Sequence, residues 1–458
     1  MGPRDCGSSD RDAIDLLPDP MTVERLGKPP DATVVVPGSK SITNRALVCA
    51  ALASGTSVVT GALLSDDTEA MISCLEQLGV RCEVELGTKA GPNDLSVPRI
   101  VVHGHGAIGG EGVVLDARLS GTTARFVAPL CVLGRSTTVL DGDAPLRERP
   151  MDDLWLALSQ LGAEVVPLGA DGRLPVQLSG ARGGITGGSV VVRGDVSSQF
   201  LSGLLLSAPM MPEGLCVTLD GPLVSGPYVE LTIEVMRAFG AVVETHDTEG
   251  RLERIEVAPR GYEPCEFAVE PDASSASYFF ALAAVTGGRV RVEGLGSDSM
   301  QGDLGFTTVL ASMGAEVRCV TDYTEVHGTG RLAGVEVDMV DISDTAPTLA
   351  AIAPLATSPT TVTGIGFARG KETDRIAAVV AELSRLGIAA AETSDGFVVS
   401  PGRITPGVVR TYDDHRMAMS FAVLGLASGG VSIVDPGCVA KTFPGFWTAV
   451  DRLRAASS

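Results

Sequence analysis

Aromatic residues supply only 4% of this 458-residue chain, with two tryptophans and five tyrosines. The core must therefore be built from Ala, Val, Leu and Ile. Positive charge is scarce as well: 35 Lys and Arg face 56 Asp and Glu, a formal net charge of −21. A chain this acidic repels polyanions, which excludes nucleic acid and anionic membrane surfaces as partners. The nine cysteines, Cys6, Cys49, Cys74, Cys82, Cys131, Cys216, Cys265, Cys319 and Cys438, form no CxxC pair. Neither a disulfide framework nor a zinc knuckle is suggested, and with five histidines no metal site is expected. A reducing cytoplasm is the simplest compartment. Residues 1–20 lack an apolar signal-peptide core and carry five aspartates, so they read as a disordered tail. The uncharged run 345–368 holds Pro347, Pro354 and Pro359 and six threonines, which excludes a lipid-facing helix. HxH at His103 and His105 lies in a glycine-rich stretch and reads as an exposed loop.

What the chain does have is glycine and repetition. Its 55 glycines imply many tight turns and close backbone approaches. A helix–glycine–strand unit recurs as CLEQLGVRCEV, LSQLGAEVV, MRAFGAVVE, LASMGAEVR and LSRLGIAAA. Its marker glycines, Gly79, Gly162, Gly240, Gly314 and Gly387, are spaced by 83, 78, 74 and 73 residues. Before them run apolar stripes at helical spacing, such as Met151, Leu154, Leu158 and Leu161, or Ile376, Val379, Leu383 and Leu386. A glycine just past such a stripe is a helix C-cap, and β-prone residues follow it. The period exceeds that of solenoid repeats. It suits an α/β module of several strands and helices, copied five or six times and gathered into two halves.

Chemistry-bearing residues cluster at helix starts. PGSKSITNR (37–45) puts Ser39, Lys40 and Ser41 before a helical stripe, an anion site but not a Walker A loop, because Ser39 replaces the required glycine. LSGTTARF (119–126) leads small and hydroxyl residues into a helix, with Arg125 one turn in. LRERPM (146–151) sets Arg147 and Arg149 before Pro150, read as a helix N1 residue. VSSQFLSG (196–203) offers Ser197 and Ser198 as N-caps, and VSGPY (224–228) opens another helix. Asp344 precedes the uncharged run, and GKETDR (370–375) packs Lys371, Glu372, Asp374 and Arg375 together. YDDHRMAM (412–419) holds Asp413, Asp414, His415 and Arg416, and Lys441 stands alone in CVAKTFPGF (438–446). Several helix N-termini with hydroxyls and bases suit one strongly anionic ligand. Mixed charges beside apolar helices suggest a desolvated cleft.

In this order the segments closely resemble the 3-phosphoshikimate 1-carboxyvinyltransferases (5-enolpyruvylshikimate-3-phosphate synthases) of the enolpyruvyl transferase family. The likeness runs from PGSKSITNR to AKTFPGFW, with VEPDASSASYFFA (269–281), KETDR and DDHRMAM its most specific parts. It implies an α/β fold: a two-domain inside-out α/β barrel of six βαβαββ-type repeats, three per domain. One domain would combine 21–38 with 271–458, and the other would span 39–270. The crossings near 37–40 and 270–272 would form a hinge, with Gly38 absorbing backbone change. The implied reaction moves the enolpyruvyl group of phosphoenolpyruvate onto the 5-hydroxyl of shikimate 3-phosphate and releases phosphate, through a tetrahedral ketal phosphate. It needs no cofactor, and a monomer is expected.

The resemblance also implies roles. Asp344 matches the proton acceptor, and Glu372 the carboxyl that exchanges a proton with the methylene carbon. Lys40 would reach both substrates, and His415 would orient or assist proton transfer. Gly121, Arg149, Gln199, Arg375, Arg416 and Lys441 would surround phosphoenolpyruvate. Ser41, Arg45, Ser197, Ser198, Gln199, Ser225, Tyr228, Asp344 and Lys371 would hold shikimate 3-phosphate. The sequence departs from the family at Leu119 and Ser120, where Asn-Ala is usual, and at Phe126, where Pro is usual. That loop bears on the response to inhibitors such as glyphosate. Phe367 replaces a polar contact to the sugar phosphate, and 88–98 and the first twenty residues look like local additions. A sister enzyme that uses UDP-N-acetylglucosamine is the nearest alternative, and SSQF and DDHR point away from it. An anion-binding protein without turnover is the other, and the intact set Lys40, Asp344, Glu372, Arg375 and His415 argues against it.

Overall fold

Each marker glycine closes a helix. The helices Asp66–Gln77, Asp152–Gln160, Gly226–Ala238, Phe306–Ser312 and Arg375–Arg385 all end two residues before one. The five glycines have φ between +80° and +109°, where a side chain would be strained. A strand follows each: Arg81–Glu85, Ala163–Pro167, Val243–Thr248, Glu316–Val320 and Ala390–Glu392. These observations come from a computed structural model that describes residues 14, 16–86, 98–109, 112–180, 183–248 and 250–457. Most of the expected tail and nearly all of the 88–98 addition lie outside the described residues.

The described strands form five four-stranded sheets and one three-stranded sheet. One sheet runs Val114–Asp116, Thr137–Asp141, Val176–Gly180, Ala163–Pro167, and the other four-stranded sheets repeat its order. The first two strands are parallel and joined by a helix, as a parallel crossover requires. A second helix leads into a hairpin, and the hairpin's later strand joins the parallel pair. This is the βαβαββ module that the resemblance implies, recurring with the marker glycines.

The chain divides into two units. The inserted unit takes the described residues from Gly38 to Val269, and the flanking unit takes those up to Pro37 and from Glu270 onward. The division falls inside two modules, each just after its first strand. Asp31–Thr33 pairs in parallel with Arg289–Glu293, far along the chain, so the flanking unit's split module is completed on the chain's return. Glu266–Ala268 pairs in parallel with Ser54–Thr60 and supplies the first strand of the inserted unit's split module. Met21–Val23 closes the three-stranded sheet against Val431–Ile433.

In the inserted unit the helices Lys40–Leu52, Gly121–Cys131 and Ser198–Ser207 are buried almost all round. In the flanking unit Ala273–Thr286, Ala346–Ile352 and His415–Ser428 are likewise. A helix apolar on every face must be enclosed, so these helices form the interior and the sheets alternate buried and exposed residues outside them. The few aromatics concentrate in the flanking unit. Tyr278, Phe279, Phe443, Phe446 and Trp447 stack edge-to-face or tilted, with centroids 4.9 to 6.2 Å apart. Such pairs contribute about 0.5–1.5 kcal/mol each beyond area burial. Trp447 Nε1 also donates to Pro436 O at 2.9 Å, which anchors the segment carrying Lys441.

Two local expectations need correcting. His103 and His105 lie on the strand Arg99–His105, where the adjoining Gly104 makes close approach to Ala53 O possible. Pro150 precedes the N-cap Met151 of the Asp152–Gln160 helix and is not its first residue, because a short helix, Ala144–Arg147, comes first. At Gly38 a Cβ would lie 1.9 Å from Gly61 O, so close backbone approach also requires glycine there. The 345–368 run folds as the Ala346–Ile352 helix, a short turn and the strand Thr360–Thr363, and no helix among the described residues is long and apolar enough to cross a membrane.

Candidate active site

The motif residues stand at the starts of the enclosed helices. Lys40, Gly121 and Ser198 begin the three in the inserted unit, and Asp344 and His415 stand at or before two in the flanking unit. Helix N-termini present free N–H groups and positive partial charge, so these positions favour anions.

In the flanking unit Asp344 is the hub. Its Oδ1 accepts from Lys371 Nζ at 2.6 Å and Arg375 Nη1 at 3.0 Å, and its Oδ2 accepts from Arg416 Nη2 at 2.6 Å. Burial alone would raise its pKa, but Arg416, Lys371 and Arg375 outweigh that and hold the carboxyl well below the usual range. Arg375 is shared more widely. Its Nη2 donates to Glu372 Oε2 at 2.7 Å, and its Nε and Nη2 grip Asp414 at 2.7 and 3.3 Å. Burial works to lower the Arg375 pKa, but Asp414, Glu372 and Asp344 keep the guanidinium firmly protonated. Lys441 Nζ lies 3.4 Å from Glu372 Oε1. Asp414 caps the His415–Ser428 helix by accepting from Arg416 N at 2.9 Å. His415 is buried, its Nδ1 3.8 Å from Asp414 Oδ1.

Exposure grades across this cluster. Arg375 and Asp414 are sealed at 4% and 0%, while Asp344, Glu372 and Lys371 keep 15%, 14% and 25%. The sealed pair is the foundation, and the three more open groups are the chemically available edge. Behind Asp344 lies Asp303, buried and hydrogen-bonded by Ser274 Oγ. Burial and the nearby Asp344 charge push its pKa up to about 6, against the pull of Arg416. Lys371 Nζ sits 5.5 Å from the Phe367 ring centroid, so that phenylalanine meets the cation through its π face.

In the inserted unit Lys40 Nζ donates to Asp67 Oδ2 at 2.9 Å. Thr123 Oγ1 donates to Asp67 O at 3.1 Å, tying that pair to the Gly121–Cys131 helix. Arg125 Nη1 donates to Gln199 Oε1 at 2.5 Å, and Gln199 Nε2 reaches Thr122 Oγ1 at 3.4 Å. Gly121 is needed here for space: a Cβ would lie 2.7 Å from Arg149 Nη1 and 3.1 Å from Arg125 Nη1. Ser197 caps the Ser198–Ser207 helix through Gln199 N at 3.3 Å. Ser225 is the left-handed N-cap residue of the helix that carries Tyr228.

Arg45 is enclosed. It donates to Thr232 Oγ1 at 2.7 Å, Ser41 O at 2.9 Å, Tyr228 O at 3.1 Å and Ser202 Oγ at 3.3 Å. Burial lowers its pKa to about 10. Arg45 thus braces Ser41 and Tyr228 from beneath. Asp67 and Asp303 carried no motif signal, since each reads as an ordinary first-turn residue, whereas Thr122 and Ser274 lay inside LSGTTARF and VEPDASSASYFFA without being singled out. Arg125 and Asp414 stood in the motifs without an assigned role. Among the described residues no group of three His, Cys, Asp or Glu side chains is arranged to hold a metal ion.

Comparison with known proteins identifies relatives over nearly the whole chain. Residues 25–450 match the family model "EPSP synthase (3-phosphoshikimate 1-carboxyvinyltransferase)". The 3-phosphoshikimate 1-carboxyvinyltransferase of Nostoc punctiforme is 45% identical over 432 residues, covering 94% of this chain and 98% of that one. That of Methanosphaerula palustris is 41% identical over 436 residues, with the same coverage. The solved EPSP synthase of Acinetobacter baumannii superposes with a TM-score of 0.75 at 29% identity, covering 94% of this chain and 97% of that one.

Proposed function

The chain belongs to the EPSP synthase (3-phosphoshikimate 1-carboxyvinyltransferase) family, and from that membership we propose how its own side chains carry the family's reaction. The enzyme transfers the enolpyruvyl group of phosphoenolpyruvate to the 5-hydroxyl of shikimate 3-phosphate and releases phosphate, in aromatic amino acid biosynthesis. Asp344 accepts the 5-hydroxyl proton as that oxygen bonds to the central carbon of phosphoenolpyruvate. Glu372 delivers a proton to the methylene carbon, forming a ketal phosphate. Glu372 then takes a methyl proton back as phosphate departs with the C–O bonding pair, which restores the double bond. Lys40 contacts both substrates, and His415 orients the proton transfers.

The observation that carries this reading is the three-cation grip on Asp344. So held, the carboxylate is ionised but a poor base. Substrate phosphate and carboxylate groups would recruit Lys371, Arg375 and Arg416, and each cation drawn away makes Asp344 more basic. Base strength then arises only when substrate is bound. Arg375, Arg416 and Lys441, together with Lys40, Gly121, Arg149 and Gln199, would hold phosphoenolpyruvate, the arginines through paired N–H groups. Ser41, Arg45, Ser197, Ser198, Gln199, Ser225, Tyr228 and Lys371 would hold the sugar phosphate. The described cysteines are free thiols, which supports a cytoplasmic setting.

Phosphate release tests the acceptor. The enzyme should release phosphate from phosphoenolpyruvate with shikimate 3-phosphate and not with UDP-N-acetylglucosamine. Equal release with both would remove the assignment.

A further inference from the structure

We propose that Glu382 and Tyr412 are positioning residues that set Arg416 against Arg375, an inference that builds on the reading of Asp344, Arg375 and Arg416 as the substrate-anion cluster. Glu382 lies seven residues after Arg375 on the Arg375–Arg385 helix, two turns along the same face. Both reach the segment that leads into the His415–Ser428 helix. Arg375 grips Asp414 through two N–H groups. Glu382 Oε1 accepts from Tyr412 Oη at 2.7 Å, and its Oε2 accepts from Arg410 N at 3.0 Å. One helix thus holds the segment at two points.

The second point is needed because of the backbone between them. Tyr412 and Asp413 both have left-handed φ, +58° and +55°. Two successive non-glycine residues in that region are intrinsically unfavourable and persist only when their surroundings hold them. Asp414 follows directly, caps the next helix at Arg416 N, and so passes on whatever orientation the turn imposes. If the turn relaxed, Asp414 and the Arg416 side chain would rotate relative to Arg375. The two guanidiniums now meet the two oxygens of one carboxylate, Asp344, so a small rotation would break the arrangement that recognises a planar or tetrahedral anion.

Stability alone does not account for Glu382. It is wholly buried, and a buried carboxylate is costly unless its lone pairs are filled. Arg385 supplies two contacts, at 3.0 and 3.4 Å from Nε and Nη2. The remaining acceptor capacity is directed at the strained turn. On the turn's other side the Asp413 carboxyl stands beside that of Asp435, a pair of acids that cannot replace the clamp.

The test is steady-state phosphate release by the full chain, varying each substrate separately, beside thermal melts of every variant. Tyr412→Phe removes one hydrogen bond from a half-exposed ring and should leave the melting temperature nearly unchanged. It should raise KM for phosphoenolpyruvate about three- to tenfold, the range of one ordinary hydrogen bond acting at a distance from the substrate. Glu382→Gln should raise it further, with KM for shikimate 3-phosphate less affected in both. A lowered melting temperature with both KM values at parent level would make the clamp merely structural and overturn the proposal. If Glu382→Gln fails to fold, Tyr412→Phe decides alone. Asp344→Asn in the same assay separates the two readings. Its retained turnover would sink the anion-cluster assignment, whereas its loss beside a parent-like Tyr412→Phe would sink only the positioning role.

Discussion

Arg375 touches three carboxylates, yet only two of them keep any exposure, and that asymmetry divides the labour at the residue scale. Asp414 is occupied in holding the guanidinium, which leaves Asp344 and Glu372 open to the proton transfers proposed for them. Replacing Asp344 by Asn, or Glu372 by Gln, keeps shape and removes the exchangeable charge. General acid–base help is worth roughly 10²–10⁴-fold, so kcat should fall in that range for each variant. KM for phosphoenolpyruvate should not rise in Asp344→Asn, because Lys371, Arg375 and Arg416 then lose a competitor for the substrate's anionic groups. The phosphate-release assay reads both constants. A kcat within about threefold of the parent, far below the range quoted, would show that the carboxylate has another role.

Among the elements, the Pro436–Lys441 turn connects the chemistry to the aromatic cluster. It begins at Asp435, whose φ is +50° and whose pKa is raised to about 6 by burial and by the neighbouring Asp413 carboxyl. A folded pKa above the unfolded value near 3.9 means that this group's favourable contribution is complete below about pH 4 and lost as pH rises through about 6. At pH 7.5 the turn therefore holds two repelling carboxylates. Asp435→Asn removes the repulsion, and Asn tolerates the left-handed region. Its melting temperature should exceed the parent's at pH 7.5, with the difference shrinking as pH falls to about 5, where the parent is itself protonated. Melts across that range would expose an error through a pH-independent difference. Asp344 works in the opposite direction: its lowered pKa adds stability at neutral pH that is lost on strong acidification.

For the whole molecule, a net charge of −21 coexists with substrates that are anions. The proposed substrate contacts rely on local cations, of which Lys40, Arg45 and Arg149 belong to the inserted unit and Lys371, Arg375, Arg416 and Lys441 to the flanking unit. Hydrogen exchange can read the division. Shikimate 3-phosphate alone should slow amide exchange at the starts of Ser198–Ser207 and Gly226–Ala238, and also around Lys371. Protection confined to one unit would contradict the proposed distribution of contacts.

Much of this was written in local sequence. The five marker glycines follow amphipathic stripes, and only glycine relieves the positive φ that ends each helix, so module and period could be counted from one strand of text. KETDR and DDHR were legible for a similar reason, since each places its charges within one helix start. What the sequence could not determine depends on contacts between distant residues. Asp31–Thr33 pairs with a strand more than 250 residues away, and no local pattern records that register. Asp67 and Asp303 look like first-turn carboxylates until tertiary structure sets one on Lys40 and the other behind Asp344. Glu382 and Arg385, three residues apart, read as a surface ion pair, and the fold instead buries the carboxylate and turns it toward Arg410 and Tyr412. A side chain's type and spacing set what it can bond, but burial and the partners brought from elsewhere in the chain decide which bonds it makes.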